Sequence, residues 1–255
     1  MNIISIIPAR MNSSRFPGKP LAKINGIPMV GHCYFRSKMC ESITETYVAT
    51  CDHEIKEYIN SINGKVIMTS TKHERATDRT AEAMISIEKQ TGIKTDIVVM
   101  IQGDEPMIEP KMITAAIKPL IDDQEIFVTN LMSEIKNIKE FNDPNEVKVV
   151  VDNNNDALYF SREPVPSQKK YQGEATMYKQ VCVIPFRRDF LIEFNNIKQT
   201  PLEIIESIDM LRILENKKKV KMVLNDKITY SVDTEDDLKN VSEKMLKDTF
   251  INKYK

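Results

Sequence analysis

The sequence predicts an α/β fold in which a doubly wound, mostly parallel sheet is accompanied by a small lobe that also contains strands. Short apolar segments rich in β-branched residues, such as 3–7 and 97–101, alternate with segments whose apolar residues recur at helical spacing. Such alternation is typical of a parallel sheet that has helices on both faces. Residues 147–161 instead indicate two strands joined by an Asn- and Asp-rich turn, which predicts a hairpin in the lobe.

Composition and charge exclude several classes of function. The chain has 255 residues, of which 41% are hydrophobic, and this suffices for one large domain or a domain with a lobe. Its 36 basic and 37 acidic residues nearly balance, so no overall charge attracts nucleic acid or a membrane surface. No stretch approaches the ~20 apolar residues of a membrane span, and the N-terminus lacks the basic region of a signal peptide. We therefore expect a cytoplasmic protein with neither nucleic acid nor a membrane as a partner.

The first predicted strand, residues 3–7, runs into a polar loop that carries Arg10, Arg15 and Lys19. An open α/β sheet binds its ligands at the carboxyl ends of its strands, and three cations there indicate an anion such as a polyphosphate. The loop contains a single glycine and therefore matches neither the dinucleotide-binding pattern nor the P-loop pattern. An ordinary basic surface loop is the alternative interpretation.

The next elements continue the parallel sheet. Residues 43–50 and 65–68 predict the second and third strands, and a helix is expected between them. The third strand leads into a polar loop that runs from Thr71 into another helix. At a strand end this loop could contact a nucleotide base through its backbone and Thr77; the alternative is a segment that only caps the helix.

The central strand, residues 97–101, carries Gln102 and Asp104 at its carboxyl end. A carboxylate that faces a polyphosphate loop is a common Mg²⁺ ligand, because this hard cation prefers carboxylate, phosphate and water oxygens. The sequence therefore predicts a magnesium site that includes Asp104. The alternative is that Asp104 caps a turn before Pro106.

Motifs along nearly the whole chain resemble those of the 3-deoxy-manno-octulosonate (Kdo) cytidylyltransferases, and the sister CMP-sialate synthetases are less similar. The motifs are Ile7-Pro-Ala-Arg10, Ser14-Arg-Phe-Pro-Gly-Lys-Pro-Leu21, Val48-Ala-Thr50, Ala76-Thr-Asp-Arg79, Gln102-Gly-Asp-Glu-Pro-Met107, Asn142-Asp-Pro-Asn-Glu-Val-Lys-Val-Val150, Ala157-Leu-Tyr-Phe-Ser-Arg162, Pro201-Leu-Glu203 and Val232-Asp-Thr-Glu-Asp-Asp-Leu238. This resemblance implies a nucleotide-diphospho-sugar transferase-like, Rossmann-like fold in a single domain, 1–255. Its nucleotide-binding part would comprise about 1–130 and 215–255, and its acceptor and dimerisation lobe about 131–214.

The resemblance also implies an activity. The chain would be a cytoplasmic, homodimeric, Mg²⁺-dependent enzyme of lipopolysaccharide or capsule biosynthesis, which couples CTP to the anomeric hydroxyl of Kdo or a similar 3-deoxy-2-keto sugar acid. Arg10, Lys19 and Asp104 would be catalytic, and Asp104 and Asp233 would bind the metal. Taken alone, Asp233 or Thr234 would be interpreted as a helix cap. The implied nucleotide-binding residues are Pro8, Ala9, Arg10, Ser14, Arg15, Lys19, Thr77, Arg79 and Gln102.

For the acceptor, the resemblance implies that Arg162 faces the sugar carboxylate and that Gln180, Glu206 and Asp209 also bind the sugar. Solvated surface charge is the alternative for the two acids. Family members usually carry a His-x-Gly-x-Tyr strand where this chain has Gln180 and Ile184. Two polar contacts with the acceptor are therefore expected to differ, and such contacts govern discrimination between acceptors.

Residues 201–214 predict one amphipathic helix that carries these two acids. Its buried stripe would consist of Ile205, Ile208, Leu211 and Leu214.

Two other functions remain open from the sequence. The first is nucleotidyl transfer from CTP to a different acid or a phosphonate, which the residues at 180 and 184 keep possible. The second is a non-catalytic nucleotide-binding protein. Loss of Lys19, or of the metal carboxylates Asp104 and Asp233, would indicate such a protein. The sequence retains all three residues.

Overall fold

The computed structural model describes residues 1–12, 16–170, 172–173 and 175–254. It divides into two compact units. The first unit comprises Met1–Thr114 and Thr229–Lys255, and the second unit comprises Ala115–Ile228. No helix in the described part of the chain is both long and apolar enough to cross a membrane.

The secondary structure alternates strands and helices along the chain. The strands are β1 (Ile3–Pro8), β2 (Lys23–Ile24), β3 (Ile27–Pro28), β4 (Glu45–Thr50), β5 (Lys65–Met68), β6 (Ile97–Ile101), β7 (Thr129–Glu134), β8 (Lys148–Val151), β9 (Ala157–Ser161), β10 (Tyr178–Val181), β11 (Val183–Arg187) and β12 (Lys221–Asn225). The helices are α1 (Met29–Lys38), α2 (His53–Ser61), α3 (Ala76–Thr91), α4 (Pro110–Asp122), α5 (Ile138–Asn142), α6 (Arg188–Asn196), α7 (Pro201–Glu206), α8 (Met210–Glu215) and α9 (Glu235–Met245).

The sheet of the first unit is parallel and has β1 near its middle. β1 pairs with β4 on one side and with β6 on the other, and β5 follows β4, so the order is β6-β1-β4-β5. Every residue of β1 and β6 is buried, as expected for strands covered on both faces. The predicted parallel α/β sheet is confirmed. Because these strands are parallel, their carboxyl ends lie at the same edge of the sheet.

The second unit contains a mixed sheet of order β12-β7-β10-β8-β9. β12 is parallel to β7, and the other neighbours are antiparallel. The predicted hairpin is present as β8 and β9, and Asn155 in its turn has a left-handed φ of 60°. The lobe was expected to span about 131–214, whereas the unit spans 115–228, because β7 pairs with β12 and both therefore belong to this sheet.

The prediction of one amphipathic helix over residues 201–214 is wrong. The segment forms two short helices, α7 and α8, and Ser207 between them has a left-handed φ of 56°. Arg212 of α8 donates to the fully buried Glu203 of α7 at 2.5 and 2.7 Å. In a straight helix these residues would lie ~13.5 Å apart along the axis, so the buried ion pair requires a bend. As a result Ile205, which was expected to be buried, is 76% exposed.

A fully buried arginine anchors the end of the chain on α1. Arg36 donates to the hydroxyl of Tyr254 at 3.0 Å and forms an ion pair with Asp248. The same hydroxyl lies 2.8 Å from Nδ1 of His32, whose Nε2 lies 2.9 Å from the carbonyl oxygen of Ile24. Within the first unit, these contacts hold the segment that follows α9 against α1.

His32 leads to the prediction of a specific loss of stability in acid. Burial, assisted by the charge of Arg36 and partly opposed by the Ile24 carbonyl and Asp248, lowers the pKa of His32 from 6.5 to about 4. Between these pH values the unfolded chain binds a proton that the folded protein does not, so the free energy of unfolding falls as the pH decreases. Between pH 6.5 and about 4, we expect this histidine to lower the free energy of unfolding by about 3 kcal/mol.

The measurement is urea unfolding of the wild-type protein and of His32→Gln, which keeps a polar side chain but does not titrate, above pH 6.5 and near pH 4. The wild-type protein should lose more free energy of unfolding than the variant over this range. An equal loss in both proteins would show that His32 is not the responsible group.

Candidate active site

The ends of β1 and β6 bring the predicted basic loop and the predicted metal carboxylate to one edge of the first unit. These strands are parallel neighbours in the sheet. Arg10 follows the carboxyl end of β1, and Gln102 and Asp104 follow that of β6. The parallel sheet therefore places both sets of polar side chains where such sheets bind ligands.

Lys19 joins two carboxylates in this unit. Its Nζ donates to Asp104 Oδ2 at 2.9 Å, to Asp233 Oδ1 at 3.3 Å and to the carbonyl of Val232 at 2.9 Å. The side chains of Lys19, Asp104 and Asp233 are only 12%, 21% and 13% exposed. Burial alone would lower the pKa of Lys19, but the two carboxylates outweigh it and raise that pKa above its ordinary value. Lys19 is therefore charged at neutral pH, and we call these three side chains the ion-paired centre.

Asp233 reaches the ion-paired centre from the C-terminal part of the first unit. The backbone N–H of Val232 donates to the carbonyl of Asp104 at 3.0 Å, which places the two segments side by side. Thr234 is the N-cap of α9 and forms a reciprocal capping box with Asp237, at 2.8 and 3.2 Å. Because Thr234 fills the capping position, the carboxylate of Asp233 is oriented towards the lysine instead.

A cavity of about 260 Å³ lies at this edge of the sheet. Four cations, Arg10, Lys19, Arg75 and Arg79, line it together with two acids, Glu74 and Asp104. The cations outnumber the acids and favour an anionic ligand. Residues predicted to be catalytic or nucleotide-binding that line the cavity are Pro8, Ala9, Arg10, Lys19, Arg79, Gln102 and Asp104.

The start of α3 supplies one wall of this cavity. Arg79, in the first turns of α3, is 3% exposed and donates to Thr69 Oγ1 at 2.5 Å and to the carbonyl of Ser70 at 3.4 Å. Its guanidinium is thus held by the two residues that follow β5. Thr77 is fully buried in the same helix, and its contact with a nucleotide base remains a prediction.

The cavity also contains residues that sequence reasoning did not select. His73 and Arg75 line it, and His73 Nε2 pairs with the carboxylate of Glu82 from α3. Both residues belong to the polar loop that was expected at this strand end, but the pair with Glu82 depends on the fold of that loop.

Two of the predicted nucleotide-binding residues, Ser14 and Arg15, lie outside the described residues.

Asp104 and Asp233 are the predicted magnesium ligands, and their chemistry fits that ion. Both offer hard carboxylate oxygens, and one ammonium set against two carboxylates leaves the ion-paired centre with a net negative charge. The described residues contain no group of three or more His, Cys, Asp or Glu that could hold a metal. A magnesium ion at these two carboxylates would therefore need phosphate or water oxygens to complete its coordination.

Two of the predicted acceptor-binding residues, Arg162 and Glu206, lie together at the end of β9 in the second unit. Glu206 accepts from the backbone N–H of Arg162 at 2.9 Å, from Ser161 Oγ at 2.8 Å and from the Tyr159 hydroxyl at 3.3 Å. The guanidinium of Arg162 donates to the carbonyls of Glu206 and Pro144 at 2.7 and 2.9 Å. Glu206 is therefore not merely a solvated surface charge, since its carboxylate holds the end of the strand.

The remaining residues of the predicted acceptor set also lie in the second unit. Gln180 of β10 is half-buried, and its Nε2 donates to Asn130 Oδ1 at 2.6 Å. Ile184 of β11 is 2% exposed. Asp209 is half-buried and immediately precedes α8. Contacts of these residues with a sugar acid remain predictions.

Comparison with known proteins gives the chain clear relatives. Residues 4–220 match the cytidylyltransferase family. A protein of Geobacter metallireducens named 3-deoxy-manno-octulosonate cytidylyltransferase is 44% identical over 255 residues, which cover 96% of this chain and 98% of the relative. A protein of the same name from Geobacter sulfurreducens is 42% identical, and the match covers 96% of this chain and 100% of the relative.

A solved structure supports the same grouping. The structure of a CMP:2-keto-3-deoxy-manno-octonic acid synthetase complexed with CTP aligns with a TM-score of 0.87 and 35% sequence identity. The alignment covers 96% of this chain and 99% of the solved chain.

Proposed function

The chain belongs to the 3-deoxy-manno-octulosonate cytidylyltransferases, and we propose that it transfers CMP from CTP to the anomeric hydroxyl of Kdo. As a member of this family it is an enzyme that uses CTP. The observation that carries the proposal is the ion-paired centre of Lys19, Asp104 and Asp233, together with a cavity that Lys19 and Asp104 share with Arg10.

The reaction requires the protein to align the anomeric oxygen with the α-phosphorus and to neutralise charge on the phosphates. It requires no covalent intermediate with the protein. The anomeric oxygen of Kdo forms a bond to the α-phosphorus of CTP, the bond from that phosphorus to the bridging oxygen breaks, and pyrophosphate leaves. The hydroxyl proton passes to solvent. Negative charge grows on the departing pyrophosphate, and Arg10 and Lys19 line the cavity where they can stabilise it.

The nucleotide is proposed to lie in the cavity of the first unit. Gln102 would help to place the nucleoside, Arg79 would support the base, and the backbone of Pro8 and Ala9 would line the bound ligand. Thr77, fully buried in α3, is also proposed to support the base. Ser14 and Arg15 complete the proposed set. The four cations that line the cavity, Arg10, Lys19, Arg75 and Arg79, make it suited to a triphosphate, because they balance phosphate charge without a glycine-rich loop.

Asp104 and Asp233 are proposed to hold Mg²⁺ when CTP is bound. Bound there, Mg²⁺ would neutralise charge on the phosphate oxygens and make the α-phosphorus a better electrophile. Lys19 now donates to both carboxylates, and triphosphate oxygens can accept from its ammonium in their place. Binding of a phosphate to Lys19 would therefore release Asp104 and Asp233 from their ion pairs with the lysine.

The acceptor is proposed to bind the second unit through Arg162, Gln180, Glu206 and Asp209. Arg162 would pair with the sugar carboxylate, for which a planar guanidinium is well suited. Its Nε and Nη1 contacts with backbone carbonyls hold the cation in place before the sugar arrives. The carboxylate of Glu206 accepts from the backbone N–H of Arg162, so Glu206 would affect sugar binding by positioning Arg162.

A different acceptor is the second candidate function, and the residues Gln180 and Ile184 are the specific observation in its favour. Ile184 offers no hydrogen bond, and Gln180 has a different geometry from the histidine that the family usually carries. A non-catalytic role is disfavoured, because family membership and the assembled ion-paired centre both indicate an enzyme.

The protein is further proposed to act in the cytoplasm as a homodimer. Large apolar side chains are exposed on the second unit at Leu158 of the edge strand β9 and at Ile204 and Ile205 of α7, which are 60%, 59% and 76% exposed. Such side chains favour contact with a second copy. Multi-angle light scattering should give twice the 29.3 kDa of one chain, and a monomer at micromolar concentration would contradict this.

Pyrophosphate release tests the proposed function. CTP, UTP, ATP and GTP are each incubated with Mg²⁺ and with Kdo, sialic acid, simple 2-keto acids or phosphonates. We expect rapid release only with CTP and Kdo or a Kdo-like acid. Release with CTP and a phosphonate but not with any 3-deoxy sugar acid would support the second candidate, and absence of release with every pair would contradict both.

A further inference from the structure

Asp52 connects the end of β4 to the basic loop within the first unit. This residue is half-buried and lies between β4 and α2. Its Oδ2 accepts a hydrogen bond from the backbone N–H of Met11 at 2.8 Å. Met11 directly follows Arg10, one of the cations that line the cavity. A side chain from beyond the neighbouring strand therefore holds the backbone next to Arg10.

This contact continues the pairing of β1 with β4 after β4 has ended. The backbone N–H of Ala9 donates to the carbonyl of Ala49 at 2.9 Å. Alternate residues of a strand donate to the same parallel neighbour, so the N–H of Met11 is the next donor in line. Because β4 no longer offers a strand there, the carboxylate of Asp52 supplies the acceptor. Arg10 is thus held on both sides by the chain around the end of β4.

Met11 also fixes the approach to Lys19. Its carbonyl accepts from the backbone N–H of Gly18 at 3.0 Å. Gly18 has a left-handed φ of 74° and is followed at once by Lys19, which begins a short 3-10 helix. Met11 is therefore bonded through its N–H to Asp52 and through its carbonyl to the residue before Lys19. The position of Met11 sets how Arg10 and Lys19 lie relative to each other.

The side chain of Asp52 has given up its usual local role for this contact. Asp52 is the N-cap residue of α2, where an aspartate commonly accepts from an N–H of the first helical turn. Among the described residues it makes no such capping bond. Its backbone N–H instead donates to Thr50 Oγ1 at 3.1 Å, and the thiol of Cys51 donates to its Oδ2 at 3.6 Å. These contacts hold the carboxylate in the orientation that reaches Met11.

Resting on the proposed function, we propose that Asp52 is a positioning residue for CMP transfer, which holds Met11 so that Arg10 and Lys19 face the triphosphate together. Its contribution is the hydrogen bond that it accepts, because the partner is an uncharged backbone N–H. Without this acceptor, the two cations lose their fixed separation. A displacement of ~1 Å in a group that orients the substrate can lower the rate by about 100-fold.

The test compares two substitutions of Asp52. Asp52→Ala removes the acceptor, and we expect it to raise the KM for CTP about 10-fold and to lower kcat about 10-fold, with an unchanged KM for Kdo. The dissociation constant for CTP, measured calorimetrically without acceptor, should also rise about 10-fold. Asp52→Asn keeps an oxygen that can accept from Met11, so it should retain more than half of the wild-type kcat and KM values.

Asp96→Ala is the matched control. The Oδ2 of Asp96 accepts from the backbone N–H of Asn2 at 2.6 Å, so this carboxylate makes the same kind of bond at the opposite end of β1. Its loss should lower the unfolding temperature and leave both kcat and the KM for CTP unaltered. If Asp52→Ala does not fold, Asp52→Ser decides the matter. Serine is a favourable N-cap for α2 but is too short to reach Met11, so activity should fall while the unfolding temperature stays near the wild-type value.

Several results would overturn the inference. Asp52→Ala, or Asp52→Ser in its place, would do so by keeping the wild-type kcat and KM for CTP. Asp52→Asn would do so by losing as much as Asp52→Ala, since the charge and not the hydrogen bond would then be responsible. Failure of the proposed function would look different, because the wild-type protein would release no pyrophosphate with CTP and Kdo while the CTP affinities of the variants still reported on Asp52.

Discussion

Replacement of Lys19 by methionine should lower kcat for CMP transfer by about 100- to 1,000-fold. Methionine keeps the apolar stem of the lysine but removes the ammonium that donates to Asp104, Asp233 and Val232. Two carboxylates would then face each other in a site that is largely shielded from water, and the triphosphate would lose a cation. The loss should appear mainly in kcat, because the charge on the departing pyrophosphate is greatest in the transition state.

The measurement is steady-state pyrophosphate release by Lys19→Met, with circular dichroism to show that the variant is folded. Lys23→Met is the matched control, since Lys23 is exposed on β2 and the same chemical change there should leave kcat unaltered. Lys19→Arg should recover part of the rate, because it restores the charge but not the compact ammonium. If Lys19→Met kept more than half of the wild-type kcat, the ion-paired centre would not be the catalytic centre.

Asp104→Asn and Asp233→Asn should each lower kcat by about 100-fold or more, which corresponds to ~3 kcal/mol of lost electrostatic stabilisation. Asparagine has nearly the same shape as aspartate, so each exchange removes a charge and preserves packing. Both exchanges should also raise the Mg²⁺ concentration needed for half-maximal turnover, because a neutral amide oxygen is a weaker ligand than a carboxylate.

Direct metal binding separates this prediction from a general loss of activity. Electron paramagnetic resonance should detect Mn²⁺ bound to the wild-type protein with CTP and without acceptor, and binding should be weaker in either variant. Asp236→Asn is the control, because Asp236 lies on α9 three residues after Asp233 and its side chain is 92% exposed. Unchanged Mn²⁺ binding in both variants, or full turnover by either, would contradict the metal assignment.

The parallel sheet and its polar edge could be predicted from local sequence. The apolar runs at 3–7 and 97–101 are short, β-branched and bounded by polar loops, so strand identity follows from composition. Side chains at the carboxyl ends of parallel neighbouring strands lie at one edge of the sheet, and this predicted that Asp104 would face the basic loop. The direct contact of Lys19 with Asp104, across 85 residues, is seen only in the structure. The position of Asp233 required the family resemblance, because a local pattern also allows it to be a helix cap.

The bend between α7 and α8 could not be predicted in the same way. The periodicity of residues 201–214 matches one helix, and the bend occurs at Ser207, a residue type without a strong preference for left-handed backbone. Its cause is the buried pair of Arg212 and Glu203, which is a tertiary contact. Similarly, nothing local indicated that Gln180 would donate to the side chain of Asn130, because this contact joins residues on neighbouring strands.

The most direct measurement follows the anomeric carbon of the acceptor. Kdo labelled with ¹³C at that carbon is incubated with the protein, CTP and Mg²⁺, and its ¹³C resonance is recorded together with the ³¹P spectrum. We expect the anomeric resonance to become split by coupling to phosphorus, in step with the release of one pyrophosphate for each CTP consumed. A resonance that stays unsplit while CTP remains intact, or that becomes split with another nucleotide and not with CTP, would contradict CMP transfer to Kdo.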